Sequence, residues 1–279
     1  MSGRAPLRRG LGAEGLVRLA DQLSARDLRV LKSVGENRFL TTNNLERLHF
    51  SDHASSLSGS RSCRRVLRRL HELKLLSSLP RRVGGFGAGS GSSIWFLSAA
   101  GKRILALLRG DGTALSAARV REPSVRFVEH SLGIADVRVR LTEAARVGAF
   151  GLAGVEIEPD CWRQYLGAHA VRETLKPDLA VTTTSPDREF EDRWFVEVDL
   201  GTEHLPTVIR KCQQYETYRR TGDEQHRHGV FPIVVWLTRD VLRAEKISAA
   251  IRAARSLDRL LYRVVTTEQL VGLVAGGAS

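Results

Sequence analysis

Glu197 and Asp199 stand two residues apart in the stretch WFVEVDLGTE, 194–203. Trp, Phe and Val in its first half predict a strand, and a two-residue step along a strand puts both carboxylates on one face. Like charges side by side on a half-buried surface repel. A third acid, Asp178, follows Lys176-Pro177 at the start of an earlier strand-like run, and SPDRE (185–189) predicts the turn between the two. Residues 178 and 197 are equidistant from the midpoint of that turn. A regular antiparallel hairpin therefore sets them opposite each other, with Cβ atoms about 4.5–5.5 Å apart. Three carboxylates at one end of a sheet attract a hard divalent cation, and oxygen ligands in this number suit Mg2+ or Mn2+. Such an ion polarises a phosphodiester and lowers the pKa of an attacking water. Asp178, Glu197 and Asp199 are thus candidate metal ligands and catalytic residues. The competing reading is an irregular hairpin whose acids pair with Arg172, Arg193 or Lys176.

The elements that must position these acids follow from periodicity. RFVEHSLGIADVRVRLTEAARV (126–147) predicts a helix, carrying Glu129 as a further candidate ligand or base. Strands are expected near 154–158, 175–183 and 193–200, then a helix over about 203–220, a strand at 231–238, a helix over about 240–257 and a short strand, LLYRVVT. The order α-β-β-β-α-β-α-β makes a mixed sheet flanked by helices. Lys211 lies on the helix that follows the acids, with Tyr215 on nearly the same face. Tyr215 and Tyr218 read as packing of that helix on the sheet or as candidate nucleophiles, and Trp162, Trp194 and Trp236 as core.

The charge is uneven. The net +12 of the 279 residues lies in the first part: residues 1–125 hold 22 Lys/Arg and 9 Asp/Glu, a balance of +13, whereas residues 126–279 hold 21 and 22, a balance of −1. The asymmetry predicts two modules, one attracted to a polyanion. Residues 24–40 predict a helix in which Ser24 and Asp27 form a capping box. TTNNLERLHF (41–50) predicts a short second helix, SDHASSLSGS a polar loop, and SRSCRRVLRRLHELKLL (60–76) a third helix. On that third helix Cys63, Val66, Leu67, Leu70 and Leu73 share an arc of roughly 120°. Arg61, Arg64, Arg65, Arg68 and Arg69 take the opposite arc with almost no balancing acid, which favours contact with double-stranded DNA over a merely solvated face. A strand, a glycine/serine tip over 84–93 with Arg81 and Arg82 at its base, a returning strand and a helix follow. The polar stretch 111–124, with Pro123, predicts a linker.

Three helices followed by a basic hairpin resemble a winged helix-turn-helix domain over about residues 22–110. By that resemblance the arginine-rich helix enters the major groove and the wing, with Arg81 and Arg82, tracks the backbone. The second half resembles the PD-(D/E)xK nuclease superfamily over residues 125–270, through Pro177-Asp178, 18 intervening residues, then Glu197-Val198-Asp199. The resemblance implies a restriction-endonuclease-like αβββαβ core in an α+β protein, with Asp178 and Glu197 on a metal ion. That superfamily places a lysine two positions after the glutamate. Asp199 stands there instead, and Lys211 is the candidate substitute. Gln214 and Tyr218 match a QxxxY spacing found in some of these nucleases. The whole arrangement resembles the replication-relaxation family of mobile elements over about residues 22–240, through the winged-helix start, EHSLGIADVRVRL, Trp162, KPDLAV and FVEVDLGTE with the later lysine and tyrosine. It implies plasmid replication or relaxation.

Three functions compete on these residues. The first is Mg2+- or Mn2+-dependent nicking or cleavage of DNA. The second is a catalytically inactive nuclease-like fold that serves as a replication initiator or transcriptional regulator. The third is a tyrosine relaxase using Tyr215 or Tyr218, in which His226-Arg227-His228 would bind metal. His130 reads as a packing residue of its helix or a ligand. The three cysteines, Cys63, Cys161 and Cys212, form no CxxC pair, so neither zinc nor a disulfide framework is expected. No apolar run spans a bilayer and no secretory leader is expected, which places the chain in the cytoplasm with the nucleoid or plasmid. A homodimer and other replication or conjugation proteins are the further partners considered.

Overall fold

The computed structural model describes residues 12–53, 55–79, 93–110, 123–167, 170–187 and 189–278. Arg81, Arg82, the glycine/serine tip up to residue 92 and residues 111–122 of the expected linker lie outside them. The chain divides into two compact units, Met1–Ala135 and Asp136–Ser279. The division falls inside helix α6 (Val125–Arg146), later than the linker expected from composition.

In the first unit, α2 (Ala25–Asn37) starts at the expected capping box, in which the Ser24 and Asp27 side chains exchange bonds with each other's backbone N–H. Thr41 and Asn44 repeat the device at the start of α3 (Thr42–His49). The third helix, α4 (Ser56–Glu72), begins inside the stretch expected to be a loop. Ser55 and Ser58 form another capping box, and Gly59 allows the close approach: a Cβ there would lie 2.7 Å from the Phe50 carbonyl oxygen. An additional helix, α1 (Ala13–Asp21), precedes the expected start of the module and buries Leu16. Val30, Leu31 and Val34 of α2, Leu45 of α3, and Cys63, Leu67 and Leu70 of α4 share one core with Ile104 of α5 (Ala99–Leu108). Each such fully buried side chain stabilises by about 1.5–3 kcal/mol. Strands β1 (Leu40–Thr41), β3 (Ile94–Leu97) and β2 (Leu76–Leu79) form an antiparallel sheet in the order β1-β3-β2.

The second unit is built on a five-stranded mixed sheet in the order β10-β9-β8-β7-β4. β4 (Gly151–Ile157), β7 (Leu179–Thr184) and β8 (Glu191–Asp199) are antiparallel neighbours. β9 (Ile233–Thr238) and β10 (Tyr262–Thr266) continue the sheet in parallel. Parallel neighbours need crossovers. α7 (Leu205–Thr221) and α8 (Asp223–His228) supply the first, and α9 (Val241–Ala253) the second. The single strand expected over 175–183 is two. β6 (Arg172–Leu175) pairs with β5 (Arg163–Leu166) in a separate ribbon, and β7 resumes at Leu179. Pro177 sits between them, and its missing N–H cannot continue a ladder.

Candidate carboxylate–lysine site

The β7–β8 register pairs Leu179 with Val196 and Thr184 with Glu191, so one step beyond the first pair Asp178 faces Glu197. Pro177 and Asp178 are fixed from outside the ladder. The Cys161 thiol donates to the Pro177 carbonyl at 3.0 Å, and the Glu158 N–H donates to the Asp178 carbonyl at 3.2 Å. The Asp178 carboxylate accepts from the Val198 N–H at 2.8 Å. Phe195 and Glu197 point to the sheet face covered by α7, where Phe195 meets the Tyr215 ring at 5.6 Å. The helical step from Lys211 to Tyr215 brings both onto Glu197: the ammonium bonds one carboxylate oxygen and the phenol donates to the other.

Asp178 and Glu197 are only 6% and 1% exposed, so this charge is largely cut off from water. Burial pushes the Glu197 carboxyl up to about 8, with neighbouring Asp178 acting the same way against Lys211 and Tyr215. Burial alone would lower Lys211, but Glu197 and Asp178 beside it hold the ammonium above its ordinary value. Two carboxyls face one ammonium, which leaves a surplus negative charge for a proton or a cation to remove.

Asp199 does not join them. It is 2% exposed and receives Nε and NH2 of Arg243, from the first turn of α9, at 2.9 and 2.6 Å. The Gly201 N–H caps its other oxygen, and Arg243 also donates to the Glu203 carbonyl at 2.6 Å. The expected three-carboxylate metal cluster is therefore corrected to a two-carboxylate site beside an ion pair. Among the described residues no group of three or more His, Cys, Asp or Glu side chains is poised for a metal ion. The partners proposed for the acids from sequence are also corrected: Arg193 bonds Glu191, and the Lys176 ammonium lies 4.7 Å over the half-buried Trp162 ring. Arg243 and Cys161 were missed, since both meet their partners only through the fold.

Gln214 is exposed on α7. Tyr218 is buried but donates to Glu224 at 2.7 Å, in a second ionic group where Arg163 bridges Glu224 and Glu156 at 2.9 Å each. The QxxxY pair thus contributes neither residue to the carboxylate–lysine site. Burial raises the phenols of both Tyr215 and Tyr218, so neither offers an accessible phenolate. His226, Arg227 and His228 are exposed on the short helix α8 rather than in a strand. Both findings count against a tyrosine relaxase. Glu129 is exposed on α6 in the first unit, where His130 is half-buried.

In the first unit, Arg61, Arg64, Arg65, Arg68 and Arg69 are all exposed on α4, opposite Cys63, Leu67 and Leu70. Arg69 is drawn aside to the buried Asp27 carboxylate of the α2 cap. The other four have no carboxylate partner among the described residues.

No curated protein and no solved structure matches the chain. No helix among the described residues is long and apolar enough to cross a membrane. The model of the replication-relaxation family matches residues 31–234, which take in α4, Asp178, Glu197 and Lys211. That match covers 204 of 279 residues. The chain belongs to the replication-relaxation family, which points to a role in replication or relaxation of plasmid or mobile-element DNA.

Proposed function

We propose that the protein binds double-stranded DNA of a plasmid or mobile element through its first unit and nicks or cleaves it, with a divalent metal ion, through its second. The observation that carries the nuclease reading is the meeting of Lys211 with Glu197 opposite Asp178. The lysine absent from position 199 is supplied from α7. The order α2, α3, α4 and then an antiparallel β2–β3 pair supports a winged-helix reading of the first unit, and the αβββαβ order of α6, β4, β7, β8, α7 and β9, with the β5–β6 ribbon set apart, a restriction-endonuclease-like reading of the second.

The donor set fits Mg2+ or Mn2+, which are commonly held by one or two carboxylates with waters and substrate phosphate completing the shell. Asp178 and Glu197 are the residues that would hold the ion, and Asp199, neutralised by Arg243, is not. Bound there, the ion supplies polarisation of the phosphate and a water of lowered pKa. Lys211 stabilises negative charge developing on the phosphate oxygens. Tyr215 holds the second oxygen of Glu197 and so fixes the carboxylate plane. Arg61, Arg64, Arg65 and Arg68, with Arg81 and Arg82, supply the phosphate and base contacts.

One observation favours a second reading. Both oxygens of Glu197 already have protein partners, as expected of an inactive core that serves an initiator or regulator. Incubating the full chain with supercoiled plasmid carrying its own origin, and Mg2+ or Mn2+, separates the two. Nicking is expected, abolished by EDTA and by Glu197→Gln or Asp178→Asn while DNA binding persists. Mg2+ is also expected to raise the unfolding midpoint of the wild type but not of Glu197→Gln. Intact supercoiled DNA in a protein–DNA complex, with no effect of Mg2+ on unfolding, selects the initiator or regulator.

A further inference from the structure

Leu57 is 68% exposed, in the first turn of a helix whose other apolar side chains turn inward. At about 100° per residue, Leu57, Arg61, Arg64 and Arg68, spaced by four, three and four residues, form one exposed ridge, roughly 135° around the helix from the buried Gly59, Cys63, Leu67 and Leu70. Three of the serines around Leu57 are already engaged. Ser55 and Ser58 close the capping box, and Ser60 bonds Glu46 of α3. Arg69, at the edge of the arginine face, is held by Asp27. What this ridge of α4 presents outward is therefore an apolar tip followed by three guanidinium groups that have no carboxylate partner among the described residues.

We infer that this ridge divides the work of recognition: the arginines take phosphates and guanine edges, and Leu57 reads the C5-methyl of a thymine in the major groove. The inference rests on the DNA-binding reading above. The first turn of a helix lying in the major groove is the part that meets base edges. A leucine there has no hydrogen bond to offer. The thymine methyl is the one apolar group that the major-groove edge of a standard base pair presents. An isolated exposed leucine would need no explanation; its place in line with those three arginines gives it one.

The test is in vitro selection of duplex sites from a random library by the full chain and by Leu57→Ala, then binding to the selected site with each thymine replaced by deoxyuridine, which lacks only the methyl. Leu57 is exposed, so the variant keeps the core intact. The wild type is expected to select a thymine at one position that Leu57→Ala no longer prefers, with the rest of the site unchanged. Deoxyuridine there is expected to weaken the wild type about four-fold, the equivalent of one buried methyl group, and to leave Leu57→Ala unaffected. The same site selected equally by both proteins, or deoxyuridine weakening both alike, overturns the assignment to Leu57 while leaving DNA binding intact. Failure of the wild type to retain any duplex overturns the DNA-binding reading and this inference with it.

Discussion

The two units treat charge in opposite ways. On α4 four arginines stand in water without a carboxylate partner among the described residues, and the unit carries the whole excess charge of the chain. In the second unit charge is balanced and turned inward: Glu197 with Lys211, Asp199 with Arg243, Glu224 with Arg163 and Glu216 with Arg219 are each buried or half-buried pairs. Exposed charge costs the fold little and remains free for a partner. A buried charge costs several kcal/mol unless a counter-charge and hydrogen bonds accompany it. The same residue types therefore serve attraction in one unit, and in the other hold strand ends and helices together around Glu197.

Removing one partner of a buried pair should give the largest effect. Arg243→Ala leaves Asp199 buried without its cation and is expected to destabilise the second unit by about 3–5 kcal/mol; Lys211→Met is expected to cost less, because Glu197 can hold a proton in place of the ammonium. Urea unfolding of the full chain, followed through the buried Trp194 and Trp236, measures this. A loss below about 1 kcal/mol for Arg243→Ala would equate its pair with surface ones and erase the contrast between the units.

A smaller effect concerns pH. Glu197 rises from an ordinary 4.5 to about 8, chiefly through burial. Between those values the folded protein holds a proton that the unfolded chain has released, so this group makes stability fall as pH rises through the window and levels off above it. Glu197→Gln keeps a side chain of the same shape but cannot titrate, and its stability should lack that fall. Parallel pH profiles of wild type and variant would show the carboxyl to be unburdened by its burial.

Much of this was legible in the sequence because it depends on local chemistry. The Ser24–Asp27 box, the inward face of α4 and the 178–197 pairing follow from spacings within one helix or one hairpin. The split at Pro177 was not read: the missing N–H is a property of the residue, but the β-rich stretch around it reads as one continuous strand. What stayed hidden depends on crossovers. Arg243 lies 44 residues beyond Asp199 and meets it only once β9 has been laid beside β8. Acids on one strand face looked like one metal cluster because alternation shows the face of a side chain and not the cation that a later helix delivers to it. Arg69 was hidden similarly: the wheel of α4 groups it with four other arginines, and only the packing of α4 on α2 brings it to Asp27.

That last pair yields the finest test of the contrast, since Arg68 and Arg69 are adjacent, chemically identical and both exposed. Arg69 satisfies a buried carboxylate that the Ser24 hydroxyl, the Ser24 N–H and this guanidinium together hold below the usual carboxylate range, against the opposing push of burial. Arg69→Ala leaves the Ser24 bonds in place and is expected to cost about 1–2 kcal/mol of stability, the cost of a buried acceptor losing one partner. Arg68→Ala removes no partner from any buried group and should change stability by less than about 0.5 kcal/mol. For DNA the order reverses. Loss of Arg68 should weaken binding across sequences and reduce the salt slope by about one, whereas Arg69→Ala should leave that slope unchanged. Unfolding and salt-titrated binding on the two variants decide it. If both variants shift only the salt slope, Arg69 belongs to the exposed face and the ion pair with Asp27 does not hold the helices; if both shift only stability, the ridge of α4 is not what meets the phosphates.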